Sequence, residues 1–173
     1  MKRIICFPLC LTLMLALTAC GNNPKPDSAD LLHHLQFHGT EFSFPCTYGE
    51  ISEQFGLDNE DDLFYDSYGY LYYDLTFQGE SVAVVGFISD KMEQIESKEI
   101  EMLEITDDEL SALKLGDTVC DANFKALTKA LGKPNSQMEQ GTSKIITYKW
   151  DGVELNIIFH DDQPHQYTFV KRS

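Results

Sequence analysis

The sequence predicts an α+β protein with two similar halves, each a short helical segment packed on an antiparallel β-meander. The first observation is that apolar residues at helical spacing end at a glycine in both halves, at Gly56 and at Gly132. The second is that strand-like runs with a turn at a glycine follow each helical segment. Because the pattern recurs at an offset of about 76 residues, we interpret it as an internal repeat.

The first half begins with short strands and a short helix. Alternating apolar residues predict strands at 35–37 and 42–44. Thr47 is placed to cap a helix that ends at Gly56. One face of this predicted helix carries three apolar residues, Tyr48, Ile51 and Phe55.

A meander is expected next in the first half. The aromatic run 70–77 leads into a turn at Gln78-Gly79, and residues 81–88 form the returning strand. A third strand is expected around residues 92–96. These three runs predict an antiparallel sheet.

The second half repeats this order. A helix is predicted where apolar residues recur at i, i+3 and i+7 before a glycine, at Phe124, Leu127, Leu131 and Gly132. Strands are expected over residues 144–150 and 153–159, joined at Asp151-Gly152, which is a strong hairpin signal. The last strand is expected over residues 166–170.

The N-terminal residues 1–19 have the parts of a secretory signal peptide. A positive start is followed by an apolar run of about 14 residues, with small residues just before Cys20. The segment Leu17-Thr18-Ala19-Cys20 resembles the lipobox of bacterial lipoproteins, which implies cleavage before Cys20 and attachment of diacylglycerol to its sulfur. The alternative is a transmembrane helix, but the run is shorter than the ~20 residues that span a bilayer. We therefore expect an extracytoplasmic protein anchored to the bacterial membrane by lipid, at the cell surface or the periplasmic face.

The rest of the chain divides into a tether and a globular domain. Residues 20–30 are polar and contain two prolines, which is typical of a flexible tether after the lipidated cysteine. Residues 31–173 are expected to form the globular domain. Its two repeats are expected at about 31–97 and 98–173.

The charge of the chain limits its partners. The formal net charge is −15, and loss of two basic residues with the signal peptide takes it to −17. Such a surface disfavours nucleic acid, whose phosphates require basic side chains. It favours basic protein partners and divalent cations.

Two cysteines remain after Cys20 and the signal peptide are set aside. Cys46 and Cys120 lie just before the two predicted helices. One alternative is a disulfide between them, which an oxidising compartment permits and which would add roughly 4 kcal/mol of stability. The other is a pair of separately buried free thiols. The sequence leaves both open.

Metal-binding patterns are incomplete. His34 and His38 are four residues apart beside His33, but a solvated polar face beside the tether accounts for them better, because no third type of metal ligand is near in sequence. The acidic run 58–62 suggests calcium, yet it lacks the glycine and glutamate of an EF-hand loop. We therefore assign no metal ligands and no cofactor. A divalent-cation-binding protein remains the alternative function.

Catalytic motifs are also incomplete. His160 and His165 flank carboxylates in a predicted turn, which offers acid–base groups without a nucleophile or a pocket. A metal-dependent hydrolase would have to use these residues. We assign no catalytic residue and expect a non-enzymatic protein.

Tyrosines are concentrated at the start of the predicted hairpin. Strand alternation places about half of them on the face opposite the core. Exposed tyrosine suits a binding surface because it offers a large contact area at low entropic cost. The alternative is a packed aromatic sheet. The candidate surface residues are Tyr68, Tyr70, Tyr72 and Tyr73.

Short motifs resemble two related groups of lipoproteins. Gly116-Asp117-Thr118 and Leu131-Gly132-Lys133-Pro134, followed by Tyr148, resemble the small lipoproteins of the outer-membrane assembly family, whose module is shared with the β-lactamase-inhibitor-protein-like fold. The segment 42–48 resembles the tandem lipoproteins of gut Firmicutes. The resemblance spans roughly residues 36–170 and implies a non-catalytic binding or scaffolding module at the cell envelope. It transfers no catalytic residue.

Overall fold

The computed structural model describes residues 28–58, 69–88, 94–150 and 152–172. The protein is β-rich α+β, with antiparallel sheets and few helices. The α-helices are α1 (Ser28–His33), α2 (Tyr48–Ile51) and α3 (Phe124–Leu131), and 3-10 helices form at Ile95–Ser97 and Asp107–Ala112. The strands are β1 (Leu35–Phe37), β2 (Thr40–Phe42), β3 (Cys46–Thr47), β4 (Phe55–Asp58), β5 (Tyr70–Phe77), β6 (Glu80–Ile88), β7 (Glu99–Ile100), β8 (Met102–Thr106), β9 (Leu113–Leu115), β10 (Thr118–Val119), β11 (Ser136–Gln140), β12 (Ser143–Trp150), β13 (Val153–His160) and β14 (Gln163–Lys171).

The largest element is an eight-stranded sheet in the order β11-β12-β13-β14-β8-β6-β5-β4. Two antiparallel meanders form it, and they meet where β14 pairs with β8. A four-stranded sheet has the order β10-β9-β1-β2, and β3 pairs with β7 in a third, two-stranded sheet. The pairing of β14 with β8 therefore joins the two meanders into one continuous sheet.

The core lies on one face of this large sheet. Its strands alternate buried and less buried residues, as in β13, where Val153, Leu155, Ile157 and Phe159 are buried. The buried side chains of the α-helices α1, α2 and α3 and of β1 and β9 belong to the same apolar cluster as these strand residues. Phe44, for example, lies 5.6 Å from Phe169 of β14 between ring centroids. The α-helices and the four-stranded sheet thus cover the same side of the large sheet.

Several predicted elements are confirmed. Helix α3 occupies the predicted residues, with the Asn123 side chain accepting a hydrogen bond from the Ala126 N–H at its start. Gly132 follows it with a φ of 85°. Both predicted hairpins, β5–β6 and β12–β13, are antiparallel.

The first predicted helix is wrong at its C-terminal end. Helix α2 has only four residues, and Phe55 and Gly56 instead begin β4, where they pair with Phe77 and Thr76. Gly56 is needed for a close approach rather than for a helix cap, because a Cβ there would lie 2.6 Å from the Thr76 Oγ1. Strand pairing between distant residues therefore overrides the local helical spacing.

Three other boundaries also differ from prediction. A third strand is expected around residues 92–96, but the strand that pairs with β6 is β8 at 102–106. Ile95–Ser97 forms a 3-10 helix instead, and residues 89–93 lie outside the described part. Residues 28–30 of the predicted tether belong to α1. The polar stretch before β12 contains β11, all of whose residues are exposed.

Candidate binding face

The large sheet has a second face, which we call the open face. It consists of the residues of β5, β6, β8, β12, β13 and β14 whose side chains alternate with the core residues. Within the described residues, no helix or strand packs on it, because the buried residues of the helices all join the core cluster. The sheet is thus covered on one side only in this part of the chain.

Strand register brings an apolar group together at one end of the open face. Tyr72 pairs with Gly86, Gly86 with Met102, and Met102 with Val170 across four neighbouring strands. Two residues further along β5 and β6, and on the same face, Tyr70 pairs with Ile88. We call this set the tyrosine patch: Tyr70, Tyr72, Gly86, Ile88, Met102 and Val170.

Gly86 allows the two tyrosine rings to lie against the sheet. A Cβ at this position would lie 3.1 Å from both the Tyr70 Cδ1 and the Met102 Cβ, and 3.4 Å from the Tyr72 Cε1. The two tyrosine rings have centroids 6.0 Å apart and are tilted by 34°. Rings held in this way have lost part of their rotamer freedom before any partner binds.

The tyrosine patch lines a groove of about 550 Å³ on the open face. Met102 is only 7% exposed, yet it does not belong to the core cluster, while Ile88 is 55% exposed at the edge of the groove. The polar side of the groove is formed by Glu101, Glu104 and Thr168. An apolar floor beside carboxylates is an arrangement suited to binding another molecule.

The two cations lining the groove are paired with carboxylates of the chain. Lys171 Nζ lies 2.6 Å from Glu99 and 3.6 Å from Glu101, and Arg172 donates to Glu154 at 2.8 Å. The hydrogen bond from Arg172 lowers the pKa of Glu154, and the hydrogen bond to Glu99 raises the pKa of Lys171. Both shifts favour the charged forms and leave these cations engaged within the chain.

Glu104 has a different environment. It lies mid-strand on β8, and its Oε2 accepts a 3.4 Å hydrogen bond from the Thr168 hydroxyl. Among the described residues, no lysine, arginine or histidine forms an ion pair with it. Asp74 of β5 lies in the same cross-strand row, separated from Glu104 by Val84. The open face therefore carries negative charge next to the tyrosine patch.

The predicted tyrosines divide between the two faces. Tyr70 and Tyr72 lie on the open face, as the hypothesis of a binding surface requires. Tyr73 does not: its ring packs against Phe87 on the core side, with centroids 5.9 Å apart. The reason is that successive strand residues point to opposite faces. Tyr68 lies outside the described residues.

The histidines near the N-terminus do not converge. His34 Nδ1 lies 2.6 Å from Glu41, whereas His38 Nε2 lies 2.7 Å from Glu109 in a different part of the fold. His33 contacts Ser43 at 3.5 Å. Over the described ranges, no group of three or more His, Cys, Asp or Glu side chains is arranged to hold a metal ion. The acidic run 58–62 lies outside these ranges except for Asp58.

His160 and His165 do come together, with ring centroids 4.8 Å apart. Each bonds a different partner: Ser143 Oγ lies 2.8 Å from His160 Nδ1, and Asp107 lies 2.6 Å from His165 Nδ1. A nucleophile–base–carboxylate chain requires one histidine to bond both of the other groups. These two pairs do not form that chain in the geometry described.

Cys46 and Cys120 are both free and buried in this structure. Cys46 lies in β3, where burial raises the pKa of its thiol to about 12. Cys120 is fully buried, and burial raises the pKa of its thiol further; its carbonyl accepts a hydrogen bond from the Tyr167 hydroxyl at 3.0 Å. The geometry corresponds to the second of the two alternatives, a pair of separate thiols.

Thiol counting tests this arrangement. We expect two free thiols in the mature protein denatured without reductant, since the Cys20 sulfur is taken up by lipid in our prediction. The native protein should react slowly even near pH 9, because both thiols are buried and remain protonated there. Absence of free thiols in the denatured, unreduced sample would show a disulfide instead.

Sequence reasoning found the two tyrosines but missed the other members of the patch. Met102, Gly86 and Glu104 belong to strands whose neighbours are set by long-range pairing. Nothing in the local pattern around Glu104 distinguishes it from the other acidic residues of segment 98–110. Only the register of β6 with β8 could have identified it.

Comparison with known proteins does not assign the chain to a family. No family model, no curated protein and no solved structure matches it. The fold thus defines the class, a β-rich α+β protein built on an eight-stranded antiparallel sheet. The resemblance to envelope lipoproteins stays a prediction from short motifs.

The predicted anchor lies outside the described residues, as do the signal peptide at 1–19 and the tether up to residue 27. None of the described helices is long and apolar enough to cross a membrane.

Proposed function

We propose that this protein is a lipid-anchored, extracytoplasmic binding module that holds a protein partner on the open face of its large sheet. The observation that carries the proposal is the tyrosine patch, which lies on a face that no described element covers. In this patch Ile88 is exposed and Tyr70, Tyr72 and Val170 are half-buried, so part of its apolar surface stays accessible. Accessible apolar groups rimmed by polar residues are typical of interaction sites. Tyrosine is among the residues that contribute most to such interfaces.

The sequence supports the proposed location and the lipid anchor. The lipobox-like segment at 17–20 would fix Cys20 in a membrane leaflet, and the polar residues after it would separate the domain from the surface. The strongly negative domain would gain nothing from anionic headgroups, so lipid would be the means of attachment. An anchored module of this kind concentrates its partner at the envelope.

We further propose that the two meanders are like-built halves. Each is preceded by a short helix, α2 before β4-β5-β6-β8 and α3 before β11-β12-β13-β14. The two innermost strands, β8 and β14, pair antiparallel, as expected for halves related by an approximate two-fold axis. On this reading the boundary lies after β8, at about residue 106, rather than at 97–98.

A capture experiment tests the proposed function. The lipoprotein would be crosslinked in native membranes and recovered, and the Tyr70→Ser/Tyr72→Ser double variant would be treated in the same way. We expect one protein partner with the native chain and loss of it with the double variant, because the variant removes both rings from the patch. Circular dichroism and thermal unfolding would establish that the variant is folded.

A further inference from the structure

We infer that the open face recognises a protein segment in which an apolar side chain stands next to a lysine or arginine, with the apolar side chain on the tyrosine patch and the cation on Glu104. The inference rests on the proposed function and adds the chemistry of the partner. It is carried by the position of one carboxylate relative to the apolar floor.

Met102 and Glu104 are two residues apart on β8, so both side chains point to the open face and their Cα atoms are about 7 Å apart. Both residues line the same groove. A partner could therefore reach the two points with neighbouring side chains of one extended segment or one loop.

Lys171 and Arg172, the cations of the groove, are already bonded to carboxylates of the chain. Glu104 receives only a hydroxyl hydrogen bond among the described contacts and has no ion pair there. Asp74 in the same row adds to the negative potential. The complementary group on a partner is therefore a cation.

Ile88 and Met138 are the two large hydrophobic side chains that are most exposed in the described part of the chain, at 55% and 59%. Met138 lies on the edge strand β11 and Ile88 on β6, five positions further along the large sheet, and of the two only Ile88 borders the groove that contains Glu104. Met138 on the edge strand β11 therefore provides a matched control for Ile88.

The test uses random 12-residue peptides displayed on phage and selected on the purified full-length lipoprotein. Enriched sequences should carry an aliphatic or aromatic residue within two positions of lysine or arginine. The best of these peptides would be synthesised and its affinity measured by fluorescence anisotropy. Ile88→Ser and Glu104→Gln should each weaken binding about tenfold, and Glu104→Gln should also remove most of the salt dependence.

The controls are Met138→Ser and Glu139→Gln, which make the same chemical changes on β11 and should alter affinity less than about twofold. Loss of binding with Ile88→Ser but not with Glu104→Gln would overturn the inference and leave the open face as the binding site. Enriched peptides without basic residues, or no enrichment at all, would also overturn it. Binding that is insensitive to both open-face variants would count against the inference and the proposed function together.

Discussion

Phe169→Ala should lower the free energy of unfolding by about 3–5 kcal/mol, the range typical of a fully buried phenylalanine. Phe169 has no exposed surface and lies in β14, where it pairs with Leu103 of β8 and Leu155 of β13. Its ring also contacts Phe44, which lies between β2 and β3. The substitution would therefore leave a cavity at the seam between the two meanders, with neighbours on both sides that are held by strand pairing and cannot collapse into it.

Urea unfolding followed by circular dichroism measures this change. Thr106→Ala is the control, because Thr106 is exposed on the neighbouring strand β8 and its loss should cost no more than about 0.5 kcal/mol. A loss below about 1 kcal/mol for Phe169→Ala would mean that the seam is not tightly packed. The assignment of this seam to the tightly packed core would then be wrong.

Cys20→Ala should abolish labelling of the protein by a fatty-acid analogue in growing cells. The expected effect is all-or-none, because the sulfur that would carry the diacylglycerol is absent. The acidic domain would not replace the lipid, since its formal charge opposes binding to anionic lipids. Gel fluorescence after metabolic labelling and coupling of a dye measures the result.

The matched control is Cys10→Ala, which removes a cysteine from the apolar run without touching the lipobox-like segment. It should label as well as the native protein. If Cys20→Ala still labels at the native level, the lipoprotein hypothesis fails. The domain would then need another means of reaching the envelope.

The sequence predicted elements whose signals are local. Helix α3 has apolar residues at i, i+3 and i+7, an asparagine at its start and a glycine at its end, and all of these act within ten residues. The β12–β13 hairpin likewise combines alternation with an Asp-Gly turn signal. Such elements can be predicted because the same residues that form them also mark them.

Elements that depend on distant partners could not be predicted. Gly56 ends a helical pattern in the sequence but pairs in β4 with Thr76, twenty residues away. Strand β11 has no apolar alternation because all of its residues are exposed at the sheet edge, so it has no periodic signal. Its identity as a strand comes from its pairing with β12.

The candidate site could likewise be predicted only where its residues follow a local pattern. Alternation alone predicted that about half of the tyrosines lie away from the core, and Tyr70 and Tyr72, two residues apart, do share the face opposite the core. It did not determine which set faced inward, so Tyr73 was included wrongly. Gly86, Met102 and Glu104 join the site only through the register of β5, β6 and β8, which no local pattern encodes.

The central claim is that a protein partner binds to the tyrosine patch of the open face. The capture from native membranes tests it most directly when the Tyr70→Ser/Tyr72→Ser variant is compared with an Ile145→Ser/Met138→Ser variant at the other end of the same sheet. We expect the first variant to lose the partner and the second to retain it at the native level. Retention of the partner by a folded Tyr70→Ser/Tyr72→Ser protein would contradict the account.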